Sequence, residues 1–186
     1  MKKIRMVSNN SHKLKEVKEF LKAYDIEIVE NIQKLEELQT ENLESLVKDK
    51  ALKAYRKIGR PLIVEHTGLF LEKIKGLPGG LTQIFWDKLG VDNFAKIFGA
   101  PDASSKAVAI TVLCFVDGKK FNIFKGEIQG SITNTPKGDF SFQWDCVFIP
   151  EGFDKTFAEM SVEEKNKVSM RGRALGEFVK FINKGE

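Results

Sequence analysis

The sequence predicts a mixed α/β fold built as one domain over residues 1–186, and three observations carry that prediction. The chain opens with two strand-then-helix units, the pattern that lays helices on a partly parallel sheet. Asp117-Gly118 between two apolar runs then signals a hairpin, so antiparallel strands join the sheet. No repeat, low-complexity stretch or linker divides the 186 residues. A chain of that size buries about 70% of its unfolded surface, enough for a proper core.

Taken in order, Ile4–Val7 is a short apolar strand closed by the polar turn Ser8-Asn9-Asn10. Leu14, Val17, Leu21 and Tyr24 recur at spacings of three and four, which places them on one helical face. Ser11 or Asn10 would cap that helix, because either side-chain oxygen can accept from its free backbone N–H groups. Ile26–Val29 reads as the second strand. Leu43, Leu46, Val47, Ala51, Ala54, Tyr55 and Ile58 mark a longer helix that Gly59 ends. Leu62–Val64 is a short strand, apolar throughout and therefore buried on both faces. The loop Gly76–Gly80 precedes two short helical patterns, around Gln83–Leu89 and Asn93–Phe98. Ala107–Val116 and Phe121–Gln129 form the hairpin, and Arg171–Asn183 carries Leu175, Phe178, Val179 and Ile182 at helical spacing.

Composition excludes more than it identifies. With 42% hydrophobic and 30% charged residues, the chain reads as an ordinary water-soluble domain. No apolar run approaches the roughly 20 residues that cross a bilayer. The basic start MKKIRMVSNN lacks the apolar core of a signal peptide, so a cytoplasmic protein is expected. Cys114 and Cys146 lack zinc-site spacing and are expected as reduced thiols. The net charge of +4 is spread among glutamates. It forms no basic stripe, so neither nucleic acid nor membrane is an expected partner.

Several segments could carry chemistry. The turn and helix start VSNNSHKLKEV offers unpaired N–H groups and Lys13 to a phosphate, or else is a plainly capped surface helix. No glycine-rich GxxxxGK[ST] phosphate loop is present. Glu65 and His66 follow the buried strand Leu62–Val64, the place where open α/β sheets put ligand sites. Glu36-Glu37 could add a hard oxygen ligand for a metal, or be a solvated acidic turn. His66 reads equally as a structural histidine and as a general base for water. Phe140–Asp145 could stack on a base and read its edge, or form a buried strand. Lys165, Arg171 and Arg173 give the last helix a cationic entry.

Together and in this order, SNNSHKLKEV, LEELQTENLESLV, VEHTGLFLEKIKGLPGG, GDFSFQWDCVFIPEG with KTFAEM, and EEKNKVSMRGRAL resemble the inosine/xanthosine triphosphate pyrophosphatase family. The matching blocks run from Ser8 to Leu175. The resemblance implies an elongated α/β fold with a mixed central sheet flanked by helices and a cleft between two lobes. It implies Mg²⁺-dependent hydrolysis of non-standard purine nucleoside triphosphates such as ITP, XTP and dITP to monophosphate and pyrophosphate, by a homodimer. Carried over by position, Ser8, Asn10, Lys13 and Thr67 would contact substrate, and Glu37 and Glu65 would hold metal. Phe142 would stack on the purine beside Trp144 and Asp145. Lys165 would reach phosphate or sugar, while Ser169, Met170 and Arg171 would line the base pocket. Lys13, Glu65 and His66 would carry the chemistry.

Three positions depart from the family pattern. His66 stands where an aspartate central to metal binding is usual, and Mg²⁺ prefers carboxylate to imidazole. Met170 replaces a histidine that bonds the base, leaving only a weak thioether acceptor. Gln143 and Cys146 flank Trp144-Asp145 where glycine and proline are usual. Two readings follow: an active pyrophosphatase of shifted base preference, or a nucleotide-binding relative with little or no catalysis.

Overall fold

The computed structural model describes residues 2–99 and 104–184. Its strands are β1 (Lys2–Val7), β2 (Ile26–Asn31), β3 (Leu62–Leu71), β4 (Pro78–Gly79), β5 (Lys106–Val116), β6 (Phe121–Ile132) and β7 (Phe148–Pro150). Its helices are α1 (Ser11–Lys22), α2 (Leu43–Ile58), α3 (Thr82–Phe98), α4 (Val162–Val168) and α5 (Met170–Lys184). The strands form one sheet in the order β2-β1-β3-β5-β6-β7, with β4 on β3. β1 runs parallel to β2 and β3, and the other pairings are antiparallel. The mixed sheet is thus the one expected from the βαβα opening and the hairpin.

Side-chain alternation along the strands sends residues to two faces. On one face Ile4, Met6, Ile63 and Leu113 pack under α1 and α5. On the other, Leu62, Val64, Val112 and Cys114 pack under α2. A third cluster joins the far end of β3, through Leu69 and Leu71, to α3, Trp144, Phe148, Phe157 and Met170. Glu65, His66 and Thr67 therefore lie mid-strand, between the three apolar clusters.

Local signals explain most boundaries. Asn10 caps α1 by accepting from the Lys13 amide, 3.1 Å away. Gly59 ends α2 at φ 63°, a left-handed conformation natural to glycine. Gly68 is needed for closeness rather than for φ, since a Cβ there would lie 2.3 Å from the Gly79 carbonyl oxygen on β4.

The structure corrects several expectations. β3 does not stop at Val64 but continues to Leu71, because β5 pairs with it from Leu62↔Val116 to Leu71↔Ala107. The polar triplet is a break in apolar pattern, not in the strand. Tyr24 lies beyond the end of α1 and is 49% exposed, its ring tilted against Phe20. The two helical patterns after Gly80 are one helix, α3, kinked at Gly90. Phe140–Asp145 is no strand. Phe140 is exposed, and Gln143–Cys146 make a 3₁₀ turn that buries Trp144 and Asp145. The separate helix α4 went unread, although Ser161 and Glu164 are a capping box that announces it.

Candidate functional site

The site is assembled from both ends of the chain. After β1 the backbone turns through Ser8, whose Oγ accepts from the Asn10 amide at 3.1 Å. That turn starts α1 and aims Lys13 at β3, where its Nζ meets Glu65 Oε1 at 2.7 Å. From the other end, Arg171 at the start of α5 donates through Nε to Glu65 Oε2 at 3.1 Å and through a terminal nitrogen to Thr67 Oγ1 at 3.2 Å. Thr67 in turn shares a 2.6 Å hydrogen bond with Thr111 on β5.

Arg171 also pairs with Glu16, and Glu16 accepts from Lys165 Nζ at 2.6 Å. Lys165 bonds Asp145 as well. Glu16, Glu65 and Asp145 thus face Lys13, Lys165 and Arg171 in one network whose formal charges cancel. Every member but Lys13 is at most 5% exposed. Charges this deep survive only when paired. Burial works to raise the Glu65 carboxyl, but Arg171 and Lys13 outweigh it and hold Glu65 well below the usual carboxylate range. Burial likewise opposes Glu16, and Arg171 and Lys165 win there too. For Asp145 burial prevails over Lys165, and its carboxyl is pushed up. Lys13 is shifted down by burial despite Glu65.

The opposite face of β3 is different. His66 points toward α2, with Nδ1 3.7 Å from Glu37 Oε2. Lys50 of α2 binds the other oxygen, Glu37 Oε1, at 2.5 Å. Burial lowers the His66 pKa, with Lys13 and Lys50 adding to that and Glu37 opposing it. Burial alone would raise Glu37, yet His66 and Lys50 bring it well below the usual range.

Two spaces adjoin these residues. An open cavity of about 620 Å³ is bounded by Asn10, Lys13, Glu37, Lys50, His66 and Gln143, a size suited to a small molecule. Lys13 and Gln143 also border a slot of about 20 Å³ lined by Thr67, Phe142, Asp145, Met170 and Arg171. That slot has room for about one water. The Phe142 ring is covered by His12, stacked 5.0 Å away at 10°. Lys165 Nζ lies 4.6 Å from the same ring. Gln143 bonds Gln83 of α3 and ties this loop down.

Most of the residues expected from sequence converge here. Ser8, Asn10, Lys13, Glu37 and His66 border the cavity, and Thr67, Phe142, Asp145, Met170 and Arg171 the slot. Trp144 borders the slot too, but its ring packs edge-on to Phe148 at 5.6 Å, within the apolar cluster. Ser169 is fully buried and accepts from the Gly172 amide, so it shapes the turn into α5. Lys165 stands behind Phe142 in the ion network. Glu65 lies beside Lys13 with both oxygens engaged.

Sequence reading missed Glu16, Lys50 and His12. Lys50 had a signal, since it interrupts the apolar stripe of α2 four residues after Leu46 and three after Val47. Glu16 had none, because Lys13 and Glu16 look like an ordinary surface pair on α1.

The donor set fits Mg²⁺ poorly. Among the described residues no three His, Cys, Asp or Glu side chains converge as a metal site. Glu65 is already held by two cations, and Glu37 is matched with an imidazole where Mg²⁺ takes oxygen.

Comparison with known proteins agrees with the fold. The family model described as Ham1 family matches residues 4–181. A "dITP/XTP pyrophosphatase" of Saccharolobus solfataricus is 38% identical over 97% of this chain and 93% of its own length. One from Pyrococcus horikoshii is 36% identical over 97% and 96%. The solved structure of a HAM1 protein from Coxiella burnetii superposes with a TM-score of 0.81 at 25% identity, covering 99% of this chain and 100% of that one.

Proposed function

The chain belongs to the Ham1 family, and we propose that it hydrolyses non-standard purine nucleoside triphosphates to the monophosphate and pyrophosphate. One observation supports this most: Lys13 and Lys50 border the large cavity, each held in place by a carboxylate, Glu65 and Glu37. Such preorganised cations need no rearrangement to meet a polyphosphate, which is how charge in a phosphoryl transition state is stabilised. In the proposed reaction water attacks the α-phosphorus, the bond to the α–β bridging oxygen breaks, and pyrophosphate leaves. The triphosphate lies in the cavity over Lys13 and Lys50, and the base stacks at Phe142 once His12 and the slot beside Asp145, Met170 and Arg171 give way to it. Water activation is assigned to the Glu37–His66 pair. Homodimerisation belongs to the same reading and is checked by light scattering.

The test is pyrophosphate release from dITP, XTP and ITP against the standard triphosphates, with divalent ions supplied one at a time. Release that is fastest with the first group supports the reading. Absence of both release and nucleotide binding overturns it.

A second reading is favoured by His66 and by the full engagement of Glu65. In it the protein binds the nucleotide with little turnover. His66→Asp separates the two: a sharp rise in hydrolysis supports the binding protein, and a fall supports the enzyme.

A further inference from the structure

The cavity and the slot meet at two side chains, Lys13 and Gln143, which border both. Gln143 stands where glycine is usual in the family pattern, and its φ is 49°. That left-handed conformation suits glycine and disfavours a residue with a Cβ. The other two described non-glycine residues with positive φ, Asp25 and Lys75, border neither space. Backbone strain beside a candidate site points to a use for the side chain that it carries.

That side chain is oriented by a relay ending on a carboxylate. Asp87 and Gln83 lie one turn apart on α3, and Gln83 Nε2 donates to Asp87 Oδ1 at 2.7 Å. A carboxylate offers only lone pairs, so Gln83 turns its amide nitrogen to Asp87 and its oxygen the other way. That oxygen accepts from Gln143 Nε2. The direction is passed on: Gln143 gives its nitrogen to Gln83, and its Oε1 has no hydrogen-bond partner among the described residues. All three residues border the cavity.

We propose that Gln143 Oε1, held by the Gln83–Asp87 relay, accepts a hydrogen bond from a ribose hydroxyl and so makes this chain discriminate on the sugar. The inference rests on the reading that the triphosphate lies in the cavity and the base at Phe142. The sugar joins the two and must cross the border that Lys13 and Gln143 share. A cation there answers phosphate, and an amide oxygen answers a hydroxyl, which can donate. Glycine at position 143 would leave the sugar unread. Gln143 is half-buried, while Gln83 and Asp87 are exposed. Water competes for the contact, so the effect is that of one modest hydrogen bond.

The experiment measures binding to the full chain by calorimetry. The probes are ITP with a non-hydrolysable α,β-methylene bridge and its 2′-deoxy, 3′-deoxy and 2′,3′-dideoxy forms. The dideoxy form and at least one monodeoxy form should bind about two- to tenfold more weakly than the parent, and the weaker monodeoxy form names the hydroxyl. Gln143→Gly, whose backbone is at ease with this φ, should bind all four alike. Gln83→Ala keeps Gln143 but frees it to rotate, and the ratio of parent to dideoxy affinity should fall toward one. A general loosening of the fold would weaken all four together and leave that ratio unmoved. Equal binding of the four by the natural protein, or an unchanged ratio in either variant, overturns the proposal while the nucleotide reading stands. Absence of binding by all four overturns both.

Discussion

The two faces of β3 at residues 65–67 make opposite use of charge. Toward α1 and α5, Glu65 is bound by Lys13 and Arg171 and linked through Arg171 and Glu16 to Lys165 and Asp145. Toward α2, His66 Nδ1 and Glu37 Oε2 face each other 3.7 Å apart, and Lys50 holds Glu37 by its other oxygen. One residue step along a strand separates a saturated face from an unsaturated one. The saturated face is a scaffold: its charges are spent on one another and hold the cations in position. The unsaturated face has bonding capacity left, and that capacity is what a ligand can use.

The largest effect that could break this comparison is on the scaffold side. Arg171→Ala leaves Glu16 and Glu65 buried without their main partner, and should cost about 3–5 kcal/mol of stability, read by urea unfolding. A loss below about 1 kcal/mol would place this face among weakly coupled surface pairs. Next comes Glu37→Gln on the other face. Turnover should fall by about a hundredfold or more, while unfolding shifts by under about 1 kcal/mol because the carboxylate is a third exposed. Unchanged turnover would remove Glu37 from the chemistry.

Acid sharpens the contrast by a smaller amount. In the folded state burial is outweighed by Arg171, which holds the Glu16 and Glu65 carboxyls below the ordinary glutamate value of about 4.3. Their contribution is therefore complete above that pH and lost as pH falls toward the folded values. Glu65→Gln should flatten the fall of melting temperature between about pH 5 and 3, since it removes one such group. An unaltered slope would show that Glu65 is not held as described. The smallest effect belongs to His12→Ala. Removing a stack worth about 0.5–1.5 kcal/mol uncovers Phe142, so nucleotide affinity should rise about two- to tenfold by calorimetry. Weaker binding would mean that the imidazole holds the base rather than covering its seat.

How much of this was legible in the chain follows the range of the forces involved. Caps, helix stripes and the Asp117-Gly118 hairpin are local, and they were read. Of the two caps the sequence allowed, Asn10 is the one used and Ser11 begins the helix, while Gly59 ends α2 as expected. The extent of β3 was not legible, because its last half is set by pairing with β5 rather than by an apolar pattern of its own. The cavity residues Lys13, Glu37 and His66 stood out as candidates in their local settings, resemblance gave them roles, and the fold brings them together. Glu16 stayed hidden because its partners lie 149 and 155 positions away. Trp144 was read for its ring, whereas the short turn at Gln143–Cys146 sends that ring into the core and turns Asp145 toward Lys165.

That same separation has a consequence in time. A ribosome adding about 5–20 residues per second releases Glu16 roughly 7–30 s before Lys165 and Arg171 exist. The early strands and α1 must wait through that interval with their carboxylates in water, since nothing yet offsets burying them. Docking of α4 and α5 is then the step that draws the acids inward, by bringing Lys165 and Arg171 to them. A nascent chain can therefore own a sheet, yet lack the buried ion network beside Phe142 until its last two helices arrive.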